Sequence, residues 1–334
     1  MTEKGEAFKR LKEKSLSPYD PEPPRHSVWV NFIYRMCQLQ HKPKYYSPHL
    51  FRGEHRSKVE WEYHQGPVFF NMLFPYLRID SLNGKDVLDA GCGWGGKAIY
   101  YAEHSGLTTI HGFDLPRVYE PEVSLSFAKE KGVSNCFFKT GYAEEMPYED
   151  EEFDVILMDD VLEHVNDPEK VMRECSRVLK REGTLIAKFP SFKMVYAHHL
   201  DRALVFPGLH YFLSMKTWAA GLNDMLLQPK RPLVFEPFDH VVSTKYHRCI
   251  TRNLNGLDFA AFQEIVHHSP FEPLILKLIP LGSRGGRRKI LKKIYDTVFE
   301  IKYLQEFLAH FVLFIGRNGG NAFPKQAPEI RHEY

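Results

Sequence analysis

VLDAGCGWGG, residues 87–96, is the stretch from which the fold is read. A short β-favouring run ends at Asp89, and Gly91, Gly93, Gly95 and Gly96 then crowd together. A strand that stops in a glycine turn and feeds a helix brings backbone N–H groups close to a ligand. Gly91, Gly93 and Gly96 by themselves satisfy the G-x-G-x-x-G spacing of a dinucleotide turn, which is a weak signal alone. Asp89, two residues before the first glycine, changes the reading. A carboxylate at the strand end repels a pyrophosphate and suits a ligand with an ammonium group and a sulfonium centre. A turn that only joined strand to helix would need neither the acid nor so many glycines.

Outward from this stretch the pattern alternates. Strands are expected at 87–89, 108–113, 136–140, 153–158 and 184–189, with helices at 94–104, 123–131 and 167–179 between them. That rhythm is the mark of a doubly wound, mostly parallel α/β sheet. Asp167 and Pro168 open the third of those helices, and Lys180, Arg181 and Gly183 close it. The rhythm breaks after Pro190 and resumes with a helix near 257–267 and strands near 273–279 and 309–315. These become the sixth and seventh strands. The expected organisation is a tail and linker over 1–26, rich in proline from Pro18 to Pro24, and a helical cover over 27–84. A core over 85–191 follows, then an insertion over 192–250 that shapes a pocket or serves as a lid or contact surface. The rest of the fold occupies 251–320, and 321–334 is a second tail.

Composition narrows the class. Lys plus Arg number 44 against 42 Asp plus Glu, a balance unlike that of a dedicated nucleic-acid binder. The 5 cysteines are odd in number and lack C-x-x-C spacing, so they read as reduced thiols of a cytoplasmic protein. The N-terminal stretch has no apolar signal-peptide core, and the longest apolar runs fall short of the roughly 18 residues that span a bilayer. Arg284, Arg287, Arg288, Lys289, Lys292 and Lys293 form a basic run leading into an apolar stripe that reaches Ile301. It reads as a solvated helix end or as a peripheral contact of 284–301 with an anionic membrane or substrate.

Two acidic positions carry further chemistry. Asp114 ends the second strand 21 residues beyond Gly93. A carboxylate there accepts both hydroxyls of a ribose, or else caps a helix. Asp159, Asp160, Val161, Leu162, Glu163 and His164 follow the fourth strand, at the sheet end where open α/β folds bind ligands. A helical turn would put Asp160, Glu163 and His164 on one face. Three readings stand side by side: His164 as a general base, the three side chains as ligands of Mg²⁺ or Mn²⁺, or a turn that only packs. His198, His199 and His210 come after the fifth strand and line the same mouth or serve structure alone.

Residues 87–191 resemble the class I S-adenosylmethionine-dependent methyltransferases, through the glycine stretch, HGFD at 111–114, GYAEEMP at 141–147 and DDVLEH at 159–164. The resemblance implies a Rossmann-like seven-stranded sheet and S-adenosyl-L-methionine as cofactor. It implies Asp89 at the cofactor's amino group, Gly91 and Gly93 beside its methionine moiety, Asp114 on the ribose and Leu115 on the adenine. Ala143 and Glu144 would serve the adenine through their backbone, and Asp159 would stand at the cofactor's edge. Many relatives carry Asp where Tyr142 stands, so an adenine hydrogen bond from that position is replaced here by stacking. D-x-x-E-H at 160–164 is similar to the E-x-x-E-H metal site of ubiquinone-pathway O-methyltransferases and small-RNA 2′-O-methyltransferases. The implied activity is in-line methyl transfer to a small-molecule acceptor, oxygen favoured, with His164, His199 and His210 on the acceptor side. An NAD-dependent oxidoreductase and a non-catalytic protein that binds S-adenosylmethionine or RNA are the alternatives of other classes.

Overall fold

The computed structural model describes residues 28, 55–73, 76–115, 121–195, 208, 211, 241–243, 249–251, 254–280, 297–299 and 301–319. Helix α1 (His55–Leu73) precedes strand β1 (Asp86–Ala90), helix α2 (Gly96–His104), strand β2 (Thr109–Asp114), helix α3 (Pro121–Glu130) and strand β3 (Cys136–Thr140). Strand β4 (Phe153–Asp159), helix α4 (Pro168–Val178) and strand β5 (Leu179–Phe189) complete the alternating half. Two short strands, β6 (Val241–Ser243) and β7 (Cys249–Thr251), pair with each other. Helix α5 (Phe259–His267), strand β8 (Phe271–Pro280), helix α6 (Lys302–Leu308) and strand β9 (Ala309–Asn318) finish the fold.

The main sheet has 7 strands in the order β3-β2-β1-β4-β5-β9-β8. Pairings from β3 through β5 are parallel, and β9 runs antiparallel to both its neighbours. The expected seven-stranded, mostly parallel sheet is therefore present. Buried residues form two cores, one on each face. Val171, Met172, Cys175 and Val178 of α4 join Phe262 of α5 in the first. Val59, Phe69 and Phe70 of α1 join Ala98 and Ile99 of α2 and Phe127 of α3 in the second. Central strands sandwiched between two such layers must be apolar on both sides, and β1 reads that way, with Val87, Leu88 and Ala90 fully buried.

The end of α4 departs from expectation. The helix stops at Val178, and β5 begins at once with Leu179 rather than at residue 184. Lys180 is held in the strand by Asp86 Oδ2 at 2.9 Å and Asp154 Oδ2 at 3.1 Å. Asn318 Nδ2 donates to the carbonyls of Ser176, at 2.9 Å, and Leu179, at 3.1 Å. A residue 139 positions away thus satisfies carbonyls at the helix end that the lysine and arginine were expected to close. The β6–β7 pair is a second element the periodicity did not indicate.

The chain connections reverse between β1 and β4, so their carboxyl ends open a crevice at the switch point of the sheet. Ala90 and Asp159 end those two strands.

Candidate functional site

The turn leaving β1 is built from residues in the left-handed region. Gly91, Gly93 and Gly95 have φ of 77°, 62° and 78°. At two of them space also demands glycine. A Cβ on Gly91 would lie 2.4 Å from Val161 Cγ2, and one on Gly93 would lie 2.4 Å from Glu62 Oε1. The turn is anchored from β2: Gly91 N and Cys92 N donate to the Phe113 carbonyl at 2.9 and 3.1 Å. Asp114 continues the anchoring with its side chain, Oδ2 accepting from Gly93 N at 2.8 Å and Oδ1 from Leu115 N at 2.7 Å. Burial raises the Asp114 carboxyl pKa, against the lowering effect of those two donors. Each oxygen keeps acceptor capacity for a ligand hydroxyl.

Asp89 is only 2 % exposed. Its Oδ2 is buried and has no hydrogen-bond partner. Burial pushes this carboxyl up to about 7, and Asp159 and Asp114 add to the rise while Lys97 opposes it. Lys97 does not pair with Asp89. Its Nζ sits 2.8 Å from Asp159 Oδ2, and Lys188 Nζ lies 2.7 Å from Asp159 Oδ1 and 2.5 Å from Asp160 Oδ1. Burial opposes the charge on Asp159, but Lys188 and Lys97 override it and hold the carboxyl well below the usual range. Asp159 is thus committed to an ion-pair chain joining α2, β4 and β5.

Glu62 reaches the turn from α1. Its Oε2 accepts from Trp94 N at 2.8 Å and Gly96 N at 3.2 Å, so it occupies the donors at the head of α2. In a dinucleotide site such donors cradle the pyrophosphate. A resident carboxylate there repels a diphosphate, which counts against the nicotinamide reading. Burial pushes the Glu62 carboxyl up to about 7, although the two backbone donors and Lys97 pull the other way. α1 approaches this closely because Gly96 lacks a side chain: a Cβ there would lie 2.1 Å from the Val59 carbonyl.

After β4, Asp160 has φ of 59°, and its N–H donates to the Lys188 carbonyl at 2.8 Å. Residues 162–164 form a turn closed by His164 N donating to the Val161 carbonyl at 2.9 Å, rather than a turn of helix. Asp160 is drawn to Lys188. Glu163 is buried, and neither of its oxygens makes a hydrogen bond; His164 Nε2 stands 3.6 Å from Oε1. Burial and the neighbouring Asp160 hold the Glu163 carboxyl well above the usual range. Among the described residues, no set of three His, Cys, Asp or Glu side chains is arranged to hold a metal ion. His164 is partly exposed and close enough to Asp114 to affect its charge.

Leu115 is half-buried beside Asp114, and Ala143 is buried. Tyr142 is exposed. Glu144 uses Oε1 to accept from Asn166 N at 2.7 Å, tying the 141–147 segment to the turn after β4. His198, His199 and His210 and the basic run from 284 to 293 lie outside the described residues. Among the described residues no helix is long and apolar enough to cross a membrane. Cys92, Cys136 and Cys175 are buried free thiols.

Sequence reasoning missed Glu62, Lys97 and Lys188. Glu62 did leave a signal. Val59, Tyr63, Gly66, Phe69, Phe70 and Leu73 recur at helical spacing and are all buried, and Glu62 is the acid inside that stripe.

Comparison with known proteins identifies the class of the domain that carries this turn. Residues 88–187 match the family model described as a methyltransferase domain. The chain is 38% identical over 100 residues to the uncharacterized methyltransferase YcgJ of Bacillus subtilis, covering 30% of this chain and 38% of that one. It is 34% identical over 112 residues to a sarcosine/dimethylglycine N-methyltransferase of Aphanothece halophytica, covering 32% and 38%. A ubiquinone biosynthesis O-methyltransferase of Pseudomonas entomophila is 34% identical over 142 residues, covering 40% and 55%. The chain therefore spans between about a third and somewhat over half of these relatives' length. These matches support a class I S-adenosylmethionine-dependent methyltransferase domain over residues 88–187.

The two raised carboxyls make stability depend on pH. Asp89 and Glu62 hold protons more tightly in the fold than in the unfolded chain, so folding takes protons up. That contribution is fully present below the ordinary carboxylate pKa near 4 and is lost as pH rises through about 7. Urea unfolding of the ligand-free protein is expected to give a falling contribution between about pH 5 and 7. Glu62→Gln and Asp89→Asn should each flatten that slope; unchanged slopes in both variants would contradict the assignment.

Proposed function

We propose that this chain is an S-adenosyl-L-methionine-dependent methyltransferase acting on a small-molecule acceptor, with oxygen as the favoured accepting atom and His164 as general base. The observation that carries the proposal is Asp89 Oδ2, buried and unpartnered beside a turn of left-handed glycines. The donor set fits the cofactor. Asp89 offers a carboxylate to an ammonium, Asp114 offers lone pairs to two ribose hydroxyls, Leu115 offers apolar surface to an adenine, and the backbone of Ala143 and Glu144 serves its ring. When bound, the cofactor supplies a methyl group on a sulfonium, already activated for displacement.

The chain's own contribution is then alignment and proton removal. Holding donor and acceptor in line in a pocket that excludes water is worth on the order of 7–11 kcal/mol of the barrier. The partly exposed imidazole of His164, near enough to Asp114 to act on its charge, is suited to accept a proton from an acceptor hydroxyl. The sequence alone adds His199 and His210 as candidates for the acceptor side. Engagement of Asp160 by Lys188 favours the base over a metal held by Asp160, Glu163 and His164.

Calorimetry and thermal unfolding test the cofactor. S-adenosylhomocysteine at 100 times its Kd should stabilise the fold by about 2.7 kcal/mol, and NAD should not. Asp114→Ala should bind S-adenosylhomocysteine at least about 10- to 150-fold more weakly, for loss of hydrogen bonds to a charged acceptor and of the anchor that the same carboxylate gives Gly93 N. Stabilisation by NAD alone would overturn the proposal.

The base is tested by following labelled methyl groups from S-adenosylmethionine into cell extract and identifying the product by mass spectrometry. His164→Ala should lower turnover by about 10²- to 10⁴-fold with cofactor affinity unchanged, and wild-type turnover should survive EDTA. Loss of activity in EDTA, restored by Mg²⁺ or Mn²⁺, would give the turn to a metal instead.

A further inference from the structure

The turn that carries Glu163 and His164 is gripped by a residue far away in sequence. Asn255 Nδ2 donates to the carbonyls of Leu162, at 2.6 Å, and Val165, at 2.9 Å. Asn255 N donates to the Glu163 carbonyl at 2.7 Å. Asn255 Oδ1 accepts from Leu257 N at 2.9 Å, which fixes the amide so that its two N–H groups face the turn. One buried residue thus holds three of the four carbonyls between positions 162 and 165.

Asn255 also stands on the stem from which the 192–250 insertion leaves and to which it returns. Phe192 N donates to the Leu257 carbonyl at 2.8 Å, and Phe259 N donates to Ser191 Oγ at 3.2 Å. Lys193 Nζ pairs with Asp258 Oδ2 at 3.1 Å. Glu306 of α6 closes the stem, its Oε1 accepting from Phe259 N at 2.7 Å and from Ser191 Oγ. The departing and returning segments of chain are pinned together, and Asn255 joins them to the turn after β4.

We infer that Asn255 is a positioning residue: it sets the backbone of the Glu163–His164 turn from the stem of the insertion, and so places the imidazole relative to the acceptor. The physical need is clear from Glu163. A buried carboxyl without a hydrogen bond favours a turn that swings it toward water, and three hydrogen bonds to the turn's carbonyls oppose that swing. Only an amide side chain supplies two N–H donors and one acceptor from a single short stem. Asp at this position has nearly the same shape and presents an acceptor to two carbonyls. The inference rests on the reading of His164 as the base, and its test separates the two.

The test uses the full-length chain with ¹⁵N-labelled histidine, the His164 ring signals being identified by their loss in His164→Ala. In Asn255→Asp, S-adenosylhomocysteine should bind within about twofold of wild type, because the clamp touches none of Asp89, Gly93 or Asp114. The His164 ring signals should move, and labelling of cell extract should fall about a hundredfold, the cost of roughly 1 Å of misplacement. Asn255→Ser, which keeps one donor, should fall between. Unmoved His164 signals in either folded variant would overturn the inference. Should neither variant fold, hydrogen exchange in the wild type decides: the clamp requires the amides of His164 and Asn255 to be protected together. Exchange of the His164 amide at the rate of an unfolded chain overturns it. Full labelling by His164→Ala alongside moved ring signals in Asn255→Asp would remove the base and leave the clamp standing. Unmoved signals alongside an inactive His164→Ala would do the reverse.

Discussion

A carboxylate buried without a partner is costly, and the site is organised around one. Asp89 lies at the carboxyl end of the central strand with Oδ2 out of reach of any donor. Desolvation of this kind costs several kcal/mol unless the group stays protonated or meets a cation. The lysine whose charge acts on Asp89 is already engaged: Lys97 turns its ammonium to Asp159, which Lys188 holds from the other side. The ion-pair chain therefore does two things. It locks the ends of α2, β4 and β5 around the crevice, and it leaves Asp89 as the group that a ligand cation would satisfy.

The surrounding elements sort ligands by charge. Glu62 fills the head of α2, where a dinucleotide would bring its phosphates, while Asp114 holds the glycine turn and keeps lone pairs for hydroxyls. Acids thus line this side of the crevice, a charge that would suit a ligand bearing an ammonium and a sulfonium. On the opposite side the turn after β4 presents His164 and is braced by Asn255 from the stem of the insertion. The sheet reversal between β1 and β4 brings the two sides together, because loops from adjacent strands depart there in opposite directions.

Local chemistry was legible in the sequence and long-range chemistry was not. β3 was expected at 136–140 and runs Cys136–Thr140, because an apolar run between turn residues sets its own limits. Asp89, Gly91, Gly93 and Asp114 could be placed at the strand ends and the glycine turn because strand, turn and helix follow one another within a short span. The start of β5 was misplaced, since Lys180 joins the sheet through Asp86, 94 positions away, and no local pattern carries that pairing. Glu62 and Asn255 were missed for the same reason: each acts on a turn 34 or 90 and more residues distant. The turn at 160–164 was expected to gather three side chains on one helical face. The left-handed Asp160 and the pull of Lys188 send its carboxylate elsewhere, and neither shows in the spacing of the motif.

If Asp89 is held for a cation, proton linkage on cofactor binding reports it directly. With its pKa near 7 in the free protein, Asp89 must lose its proton as it meets an ammonium. Titration calorimetry of S-adenosylmethionine near pH 6.5, in buffers of different ionisation enthalpy, should show protons released on binding. Affinity should rise with pH from about 5.5 to 7, approaching tenfold per unit at the acid end. Asp89→Asn should abolish most of that release. Binding that is equally tight across this range, with no proton released by the wild type, would contradict the account.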